Sequence, residues 1–402
     1  MDFALPEDDD PRRLAVRRFF EEHPRPSPAQ IAAAGYAAPH WPRPWGLDAD
    51  PLDQLIIDEE MRAAHVTSAA NPIGIGWAGP LILRHGTDEQ RARYLMPILT
   101  GDEIWCQLFS EPDAGSDLAN LATSAAEDGD VYVVNGSKIW TTGAHASRFG
   151  ILLARTATDV PKHQGVTYFI CPMDLPGVTV RPIRDMTGLG SFNQVFFDDV
   201  RIPAANVVGE VNRGWALAKL TLTNERVSLS GSGVIWGMGP TTRDVIEMWR
   251  DGGGVVDPVL RQRVAAAYVE AEILRLIRLR TVSAAVRGEP PGPEASVRKA
   301  LADDHGRRLM NLAKDLAGTA GVLGGAQGML GVTTPGDSLV PAQTGELAEV
   351  LAFGFLFSPA VTIGGGTAQI QRNIIAERVL GLPRDVDAEA GTTWAEAHRP
   401  RP

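Results

Sequence analysis

The sequence predicts an α+β protein in which two helical regions flank one region of short β-strands. Apolar residues recur at helical spacing over residues 12–101, and the same period returns from Gly214 onward. Between these regions, residues 103–212 contain short runs of β-branched and aromatic residues separated by turn signals. A length of 402 residues is long for a single hydrophobic core, which favours two or three domains.

The first region, residues 1–102, carries two clear signals for the start of a helix. Asp50 stands before Pro51, where its side chain can cap a helix that opens with proline. Thr87 is followed by two acidic residues, and Gly101 comes after the last apolar residue of that segment. We therefore expect an N-terminal helical domain that ends near residue 102.

The second region, residues 103–213, has the pattern of a small all-β domain. Strand-like runs include VYVVNGSKIW, FGILLART and GVTYFICPM. Turn signals such as Asn135-Gly136 and Pro176-Gly177 separate these runs at fairly regular intervals. Regular spacing of short strands is typical of an antiparallel barrel or sandwich.

The third region, residues 214–385, consists of long helical blocks separated by short breaks, which is typical of an antiparallel helical bundle. One break, GEPPGP at 288–293, is rich in residues that end helices. Residues 386–402 have no such periodicity, and we expect them to form a tail. The expected helices cover residues 214–249, 257–287, 293–323, 344–358 and 367–380.

Composition and charge disfavour several classes of protein. A net charge of −11 argues against nucleic acid as a partner, and 22% charged residues with 44% hydrophobic residues indicate a globular chain. Two distant cysteines and eight scattered histidines give neither a disulfide framework nor a metal-site pattern. The most apolar stretch, 347–363, contains Glu349 and Pro359, which favours a core helix over a membrane span. Because the N-terminus lacks the apolar core of a secretory signal, we expect a cytoplasmic protein.

Two motifs of the β region combine glycine, hydroxyl and aromatic residues. In FSEPDAGSD at 109–117, Gly115 lets the main chain approach a ligand closely, and the Ser116 hydroxyl can bond a phosphate oxygen. In NGSKIWTTGA at 135–144, Trp140 offers an aromatic wall. Taken alone, the first motif is also compatible with a polar turn, and the second with packing between domains.

A third motif, IGGGTAQIQR at 363–372, completes a set whose order resembles the acyl-CoA dehydrogenase family over about residues 12–383. The resemblance implies an N-terminal helical domain, a middle antiparallel β-barrel and a C-terminal antiparallel helical bundle that together bind FAD. Ser116 is also implied as a substrate contact. The flavin contacts implied at matching positions are Phe109, Ser110, Ser116, Trp140, Thr142, Thr367 and Gln369.

Two further flavin contacts match the family less well. Arg250 can fill the place of an arginine that reaches the FAD pyrophosphate of a neighbouring subunit, but the expected phenylalanine is Gly253. Gly324 and Gly325 resemble a glycine pair near the neighbour's adenine, but the glutamine expected upstream is Gly321. These departures favour weaker FAD affinity or a non-identical partner chain that completes the site. The shared sites of the family imply a dimer or tetramer.

The catalytic base of the family is absent from its usual place. The family has a glutamate two residues before Thr367, where this chain has Gly365, so only the backbone N–H of that position remains. A minority of the family carries the base in a Glu-Arg pair on the first long helix of the bundle. Glu225 and Arg226 occupy that place in this sequence.

The helical period alone leaves the role of Glu225 open. Glu225 and Arg226 flank an apolar stripe of their helix, and the opposite face is apolar too. A carboxylate in such a helix needs a partner or a function, and an ion-paired structural glutamate is the ordinary interpretation. With glycine at position 365, we interpret Glu225 as the base and Arg226 as a substrate contact.

The resemblance therefore implies α,β-dehydrogenation of an acyl-CoA, with electrons passed to an electron-transfer flavoprotein. Alternatives on the same fold are monooxygenase, oxidase or desulfinase chemistry, or a subunit that only completes another chain's FAD site. The Glu-Arg pair together with IGGGT also resembles dehydrogenases of steroid side-chain thioesters. Glycines within 231–239 are compatible with close helix contacts or with room for a bulky or branched acyl group.

Overall fold

The order of structural elements is helical, then β, then helical, which confirms the predicted α+β fold class. The structure is a computed structural model. It describes residues 6–66, 71–229, 240–252, 257–286, 292–319, 347–386 and 389–398.

The N-terminal helices begin and end where the sequence signals predict. Asp50 accepts hydrogen bonds from the backbone N–H groups at positions 52 and 53, and Thr87 forms a reciprocal capping box with Gln90. Gly101 ends its helix in the left-handed conformation at a φ of 76°. The helices of this region are α1 (Pro11–Glu22), α2 (Pro28–Ala33), α3 (Pro51–Ala63), α4 (Gly79–His85) and α5 (Asp88–Thr100).

A buried asparagine joins this helical region to the first strand. The Asn71 side chain donates to the carbonyls of Ile98 (3.1 Å) and Glu103 (3.0 Å). Its amide oxygen accepts from the Trp105 N–H at 3.1 Å. Asn71 is fully buried, so all these bonds form away from water and hold the start of the sheet against α5.

The middle region forms one curled, seven-stranded sheet. Its longest pairing is the antiparallel one between β3 and β7. The sheet is mixed rather than wholly antiparallel, because β1 runs parallel to β4 and β2 meets the end of β4 in parallel. The strands are β1 (Trp105–Leu108), β2 (Ser124–Asp128), β3 (Val131–Thr142), β4 (Phe149–Arg155), β5 (Val166–Pro172), β6 (Val178–Ile183) and β7 (Phe192–Pro203).

The C-terminal region is a set of packed helices, as predicted. The first predicted helix, 214–249, is α6 (Gly214–Leu229) and α7 (Thr242–Asp251), and residues 230–239 lie outside the described ranges. Within the described ranges, none of the helices combines the length and apolar character that a membrane crossing requires. The remaining helices are α8 (Pro258–Val286), α9 (Glu294–Ala317), α10 (Leu347–Val361), α11 (Ala368–Ile374, continued by a π-helical turn) and α12 (Trp394–Ala397).

Separate apolar clusters stabilise the three regions and also join them. One cluster extends from Trp41 in the N-terminal region through Trp105 of the sheet to Leu217 of α6. Another fills the sheet itself, and a third lies among the C-terminal helices around Leu309. Because α6 belongs to the first cluster, its position is set by the N-terminal helices and the sheet together.

Residues 389–398, which the sequence predicts only as part of a tail, pack on the end of β4 and on the loop that follows it. The backbone N–H groups of Trp394 and Ala395 donate to the carbonyls of Val160 and Thr158, both at 2.9 Å. The Arg155 guanidinium lies 4.7 Å from the centre of the Trp394 ring. This segment therefore covers the end of β4 and the loop that joins it to β5.

Candidate active site

Glu225 lies on the buried face of α6. Side chains at a spacing of three or four residues, Ala218, Thr221 and Glu225, are buried together, and the Glu225 side chain is 8% exposed. The helical period predicts that Glu225 lies beside the apolar stripe. In the structure, Glu225 lies within the buried stripe of α6. The cause is the position of α6 between the N-terminal helices and the sheet, which shifts the buried face of the helix.

The carboxylate of Glu225 faces the end of the first strand. Gln107 of β1 donates its side-chain N–H to Glu225 Oε2 at 3.4 Å, the long end of the hydrogen-bond range. One turn earlier on α6, the hydroxyls of Thr221 and Tyr168 are 3.1 Å apart. The Tyr168 ring meets Phe109 edge to face, with centroids 5.9 Å apart. These contacts bring Glu225 beside the segment that begins at Phe109.

A buried lysine holds that segment against the sheet. Lys138 of β3 has no exposed surface, and its Nζ donates to the Phe109 carbonyl at 3.0 Å and to Glu111 Oε1 at 2.7 Å. Glu111 also accepts from the backbone N–H groups of Ala122 (2.7 Å) and Thr123 (3.0 Å). One ion pair therefore closes the loop from 109 to 123.

Burial and charge act in opposite directions on this pair. Burial alone raises the pKa of the Glu111 carboxyl, but the Lys138 charge and the hydrogen bonds outweigh it, so that pKa lies below its ordinary value. Burial lowers the pKa of the Lys138 ammonium, and Glu111 opposes that shift. Sequence reasoning missed both residues. The signal was a lysine within the strand-like run VNGSKIW and a glutamate inside the glycine motif.

An arginine supports the same loop from the other side. Arg155 donates from Nη2 to the Ala119 carbonyl at 2.7 Å and from Nε to the Leu121 carbonyl at 2.9 Å. Burial lowers the pKa of its guanidinium to about 10. Arg155 could not be predicted from a local pattern, because the two carbonyls of this loop that it binds lie 34 and 36 residues away.

Several of the predicted flavin contacts lie at or near this loop with accessible polar or aromatic groups. The Ser110 carbonyl accepts from the N–H of Ile139 at 2.9 Å, which brings the loop beside Trp140. Trp140 is 57% exposed and has a φ of +61°, at a point where the pairing of β3 with β7 shifts register. A non-glycine residue in this region of φ is strained, and such strain is concentrated at functional sites. Ser116 and Thr142 are exposed.

A row of aromatic rings links Trp140 to the C-terminal helices. Trp140 meets Phe192 edge to face with centroids 6.0 Å apart, and Phe192 is parallel to Phe357 of α10 at 6.3 Å. Phe357 in turn stacks with Phe353 at 5.5 Å. The row joins the tryptophan of the second motif to the helix that leads directly into the third.

The third motif forms a turn between α10 and α11. Gly365 and Gly366 have φ values of +69° and +90°, and the Thr367 hydroxyl caps α11 by accepting from the Ile370 N–H at 3.2 Å. The buried Gln371 side chain donates to the carbonyls of Gly365 (3.1 Å) and Gly366 (3.2 Å). Sequence reasoning missed Gln371, because its partners are not at a helical spacing. Gln369 is exposed.

The backbone N–H of Gly365 is available as a donor. Within the described part of the chain it donates to no other protein atom. Gly365 and Gly366 have positive φ values, and the Gln371 side chain takes their carbonyls, so the bonds of the described turn do not use this N–H. The expected role of Gly365 as a backbone donor is compatible with this geometry.

The structure leaves some of the predicted positions apart or undescribed. Arg250 is exposed near the end of α7. Gly324 and Gly325 lie outside the described residues, as does the side chain of Arg226. Among the described residues, no group of three or more His, Cys, Asp or Glu side chains is arranged to hold a metal ion.

Models of one protein family match almost the whole chain. The acyl-CoA dehydrogenase N-terminal domain matches residues 8–102, the middle domain residues 106–200 and the C-terminal domain residues 212–380. The chain belongs to the acyl-CoA dehydrogenase family. These matches confirm the resemblance on which the sequence analysis rests.

Two mycobacterial acyl-CoA dehydrogenases are similar to this chain. It is 39% identical over 354 residues to FadE34 of Mycobacterium tuberculosis, which covers 88% of this chain and 46% of that protein. It is also 39% identical over 358 residues to IpdE1 of the same organism, covering 89% of this chain and 87% of that one. The chain thus spans about half the length of FadE34 but most of IpdE1.

Two solved structures whose names pair two proteins have the same fold. The Tcur3481-Tcur3483 steroid ACAD matches with a TM-score of 0.76 at 28% identity, over 96% of this chain and 100% of that one. The ChsE4-ChsE5 complex from Mycobacterium tuberculosis matches with a TM-score of 0.73 at 28% identity and the same coverage.

Membership of the acyl-CoA dehydrogenase family implies a flavin cofactor, and the residues at the site fit such a group. Trp140 exposes more than half of its surface, which leaves an aromatic face for a ring system. The hydroxyls of Ser116 and Thr142 are exposed, and a side chain at Gly115 would meet nothing within 4 Å. Both hydroxyls can donate hydrogen bonds to oxygen atoms of a flavin nucleotide.

Proposed function

We propose that this protein is an FAD-dependent acyl-CoA dehydrogenase in which Glu225 is the base. The observation that carries the proposal is the burial of Glu225, at 8% exposure, beside Gln107. Gln107 lies near the end of β1, and Phe109 directly follows that strand. Gly365 has no side chain that could act as a base, so Glu225 is the carboxylate with the family's catalytic role.

The proposed reaction divides the work among few groups. The Glu225 carboxylate accepts the α-proton of the thioester, and the Gly365 N–H donates to the thioester oxygen as negative charge develops there. Bound FAD supplies a hydride acceptor for the hydrogen on the β-carbon. In this proposal the substrate contacts are Ser116 and Arg226. The residues that hold FAD are Phe109, Ser110, Ser116, Trp140, Thr142, Thr367 and Gln369.

The acyl group is proposed to be steroidal or branched, and the electron acceptor to be an electron-transfer flavoprotein. Support for a steroidal acyl group comes from the similarity to the Tcur3481-Tcur3483 steroid ACAD. A neighbour at 22% identity carries the name of an electron-transferring flavoprotein, and its similarity extends only to the fold. The acceptor therefore rests on the family resemblance alone.

We also propose that FAD binding is completed by a second chain. Arg250, Gly324 and Gly325 are the positions that the family directs toward a neighbour's cofactor. The exposed position of Arg250 is compatible with such a role. The similar solved structures include two-chain complexes, so a hetero-oligomer is the form that we favour over a homo-oligomer.

The test is anaerobic bleaching of the flavin by a panel of linear, branched and steroidal acyl-CoAs. We expect the wild-type protein to be bleached fastest by a steroidal or branched thioester, and Glu225→Gln to slow bleaching by about 100-fold or more. Glu247→Gln is the matched control, because Glu247 is an exposed glutamate on α7 that pairs with Arg243. Unimpaired bleaching in Glu225→Gln would remove Glu225 as the base.

Two further observations separate the alternatives. Mass spectrometry of the copurified complex reports FAD, any bound thioester and any second chain. Rapid reaction of the reduced flavin with oxygen would instead favour an oxidase or a monooxygenase. A colourless protein without stoichiometric FAD would argue for a subunit that only completes another chain's site.

A further inference from the structure

A second buried lysine–carboxylate pair lies in the C-terminal bundle, and the proposed reaction does not use it directly. Lys299 and Asp303, one turn apart on α9, are 1% and 4% exposed. The Lys299 Nζ donates to Asp303 Oδ2 at 2.5 Å and to the carbonyl of Val361 at 3.0 Å. Val361 is the last residue of α10, so this lysine holds the end of the helix that enters the glycine turn.

The pair is poorly explained as a device for stability alone. A buried ion pair loses hydration energy that its mutual attraction often only balances, so an apolar pair of similar volume serves stability equally well. The bond from Lys299 to the Val361 carbonyl gives the pair another role. A cation at a helix C-terminus satisfies a carbonyl that the helix leaves without a partner, and it fixes the direction in which the chain continues.

The opposite side of the turn is held independently. Gln371 fixes the carbonyls of Gly365 and Gly366 from α11, while the N–H of Gly364 bonds back to the Ala360 carbonyl at 2.9 Å. The peptide groups on both sides of the Gly365 N–H are therefore restrained. That N–H keeps one orientation without itself being consumed in a hydrogen bond to the described protein.

We propose that Lys299, with Asp303, and Gln371 are positioning residues that aim the Gly365 N–H at the thioester oxygen. The inference rests on the proposed function, because it needs an acyl-CoA thioester in this site. Preorganised donors stabilise developing charge strongly because they need not reorient during the reaction. When either the ion pair or Gln371 is lost, we expect the turn still to form, but its Gly365 N–H is no longer held in one orientation.

The test uses the FAD-loaded protein, together with any chain that copurifies with it. The variants are Gln371→Leu and the double change Lys299→Met with Asp303→Leu, which leaves no unpaired buried charge. Lys314→Met is the control. Lys314 lies on the same helix α9 and its Nζ is 4.5 Å from the Phe355 ring of α10, so it joins the same two helices without touching the turn.

The probe is 3,3-dimethylbutanoyl-CoA labelled with ¹³C at the thioester carbonyl, which has no β-hydrogen and binds without being oxidised. Isotope-edited infrared spectroscopy reports how far the carbonyl stretch moves to lower frequency on binding. We expect a clear shift in the wild type and in Lys314→Met. In the two test variants we expect at least half of the shift to be lost, with kcat lowered about tenfold and KM changed less.

The outcomes separate the inference from the proposed function. If the wild type is not bleached by any acyl-CoA, both the proposed function and the inference that rests on it are wrong. If the wild type is bleached, but the carbonyl shift is absent or is unchanged in both test variants, the inference alone is overturned. Should one variant not fold, the other decides, because Gln371 and the ion pair hold opposite sides of the turn.

Discussion

Two buried lysines support the two sides of the candidate site, and they differ in the hydrogen-bond donors around their partner carboxylates. Lys138 pairs with Glu111 and holds the Phe109 carbonyl, whereas Lys299 pairs with Asp303 and holds the carbonyl of Val361. Each lysine therefore joins a carboxylate to the main chain at the edge of a motif. The arrangement is the same in the sheet and in the helical bundle.

Burial raises the pKa of both carboxyls, but the net shifts have opposite directions. Burial raises the pKa of Asp303 to about 6, although Lys299 opposes the shift. The pKa of Glu111 lies below its ordinary value, because Lys138 and the backbone donors of the loop together outweigh burial. The comparison teaches that the number of donors around a buried carboxylate, and not the ion pair alone, decides whether its charge is stabilised.

The largest expected effect is the loss of the lysine in the sheet. Lys138→Met leaves Glu111 buried and charged, and we expect the free energy of unfolding to fall by about 3–5 kcal/mol. Urea unfolding measures this change, and adding Glu111→Leu should restore part of the loss. A decrease below about 1 kcal/mol in the single variant would mean that the pair is not a central support of the loop.

The corresponding change in the bundle should be milder. In Lys299→Met, Asp303 can take up a proton, so no buried charge is left unpaired. The buried polar groups that lose their hydrogen-bond partner should then lower the free energy of unfolding by about 1–3 kcal/mol. The same urea experiment at neutral pH gives the comparison with Lys138→Met. If Lys299→Met is the more destabilising of the two, the proposed difference between the carboxylates is wrong.

The pH dependence of stability should sharpen the contrast further. The pKa of Asp303 is about 6 in the folded protein and 3.8 as the ordinary value, so the folded state binds more protons between these limits. The contribution of this group to the free energy of unfolding therefore falls as pH rises through that window. Asp303→Asn removes the fall, and unfolding at about pH 4 and about pH 7 should show the wild type losing stability relative to the variant.

The smallest effect is expected at a glycine of the turn. At Gly365, with φ at +69°, alanine should lower the free energy of unfolding by about 1 kcal/mol and slow turnover by disturbing the donor. Gly115→Ala is the control, because an added Cβ there meets nothing within 4 Å and should change stability by less than about 0.5 kcal/mol. Equal losses of stability at both positions would contradict the strain assigned to the turn.

Local signals in the sequence predicted the elements and the three motifs. Caps such as Asp50 and Thr87 act on backbone groups two or three residues away, so the sequence contains both partners of each bond. The alternation of short strands likewise indicated the β region. The parallel pairing of β1 with β4 could not be predicted, because it joins residues 44 positions apart, as in the pair of Trp105 and Phe149.

The residues that support the site were the ones that the sequence did not identify. Lys138 and Glu111 are 27 positions apart, Arg155 and Ala119 are 36 apart, and Lys299 is 62 positions from Val361. No periodic pattern links partners at these distances, and a buried charge looks like a surface charge until its partner is known. Glu225 was found through the resemblance, and its role as base stays a prediction.

The contact between Arg155 and Trp394 has a consequence for the order in which this protein is made. The ribosome synthesises the whole sheet long before it reaches residues 389–398, which pack on the end of β4 and on the loop that follows it. Because domains generally fold as units during synthesis, the middle domain must first exist with this patch of Arg155 uncovered. During translation, this patch is a surface that the nascent chain leaves open until synthesis has passed the helical bundle.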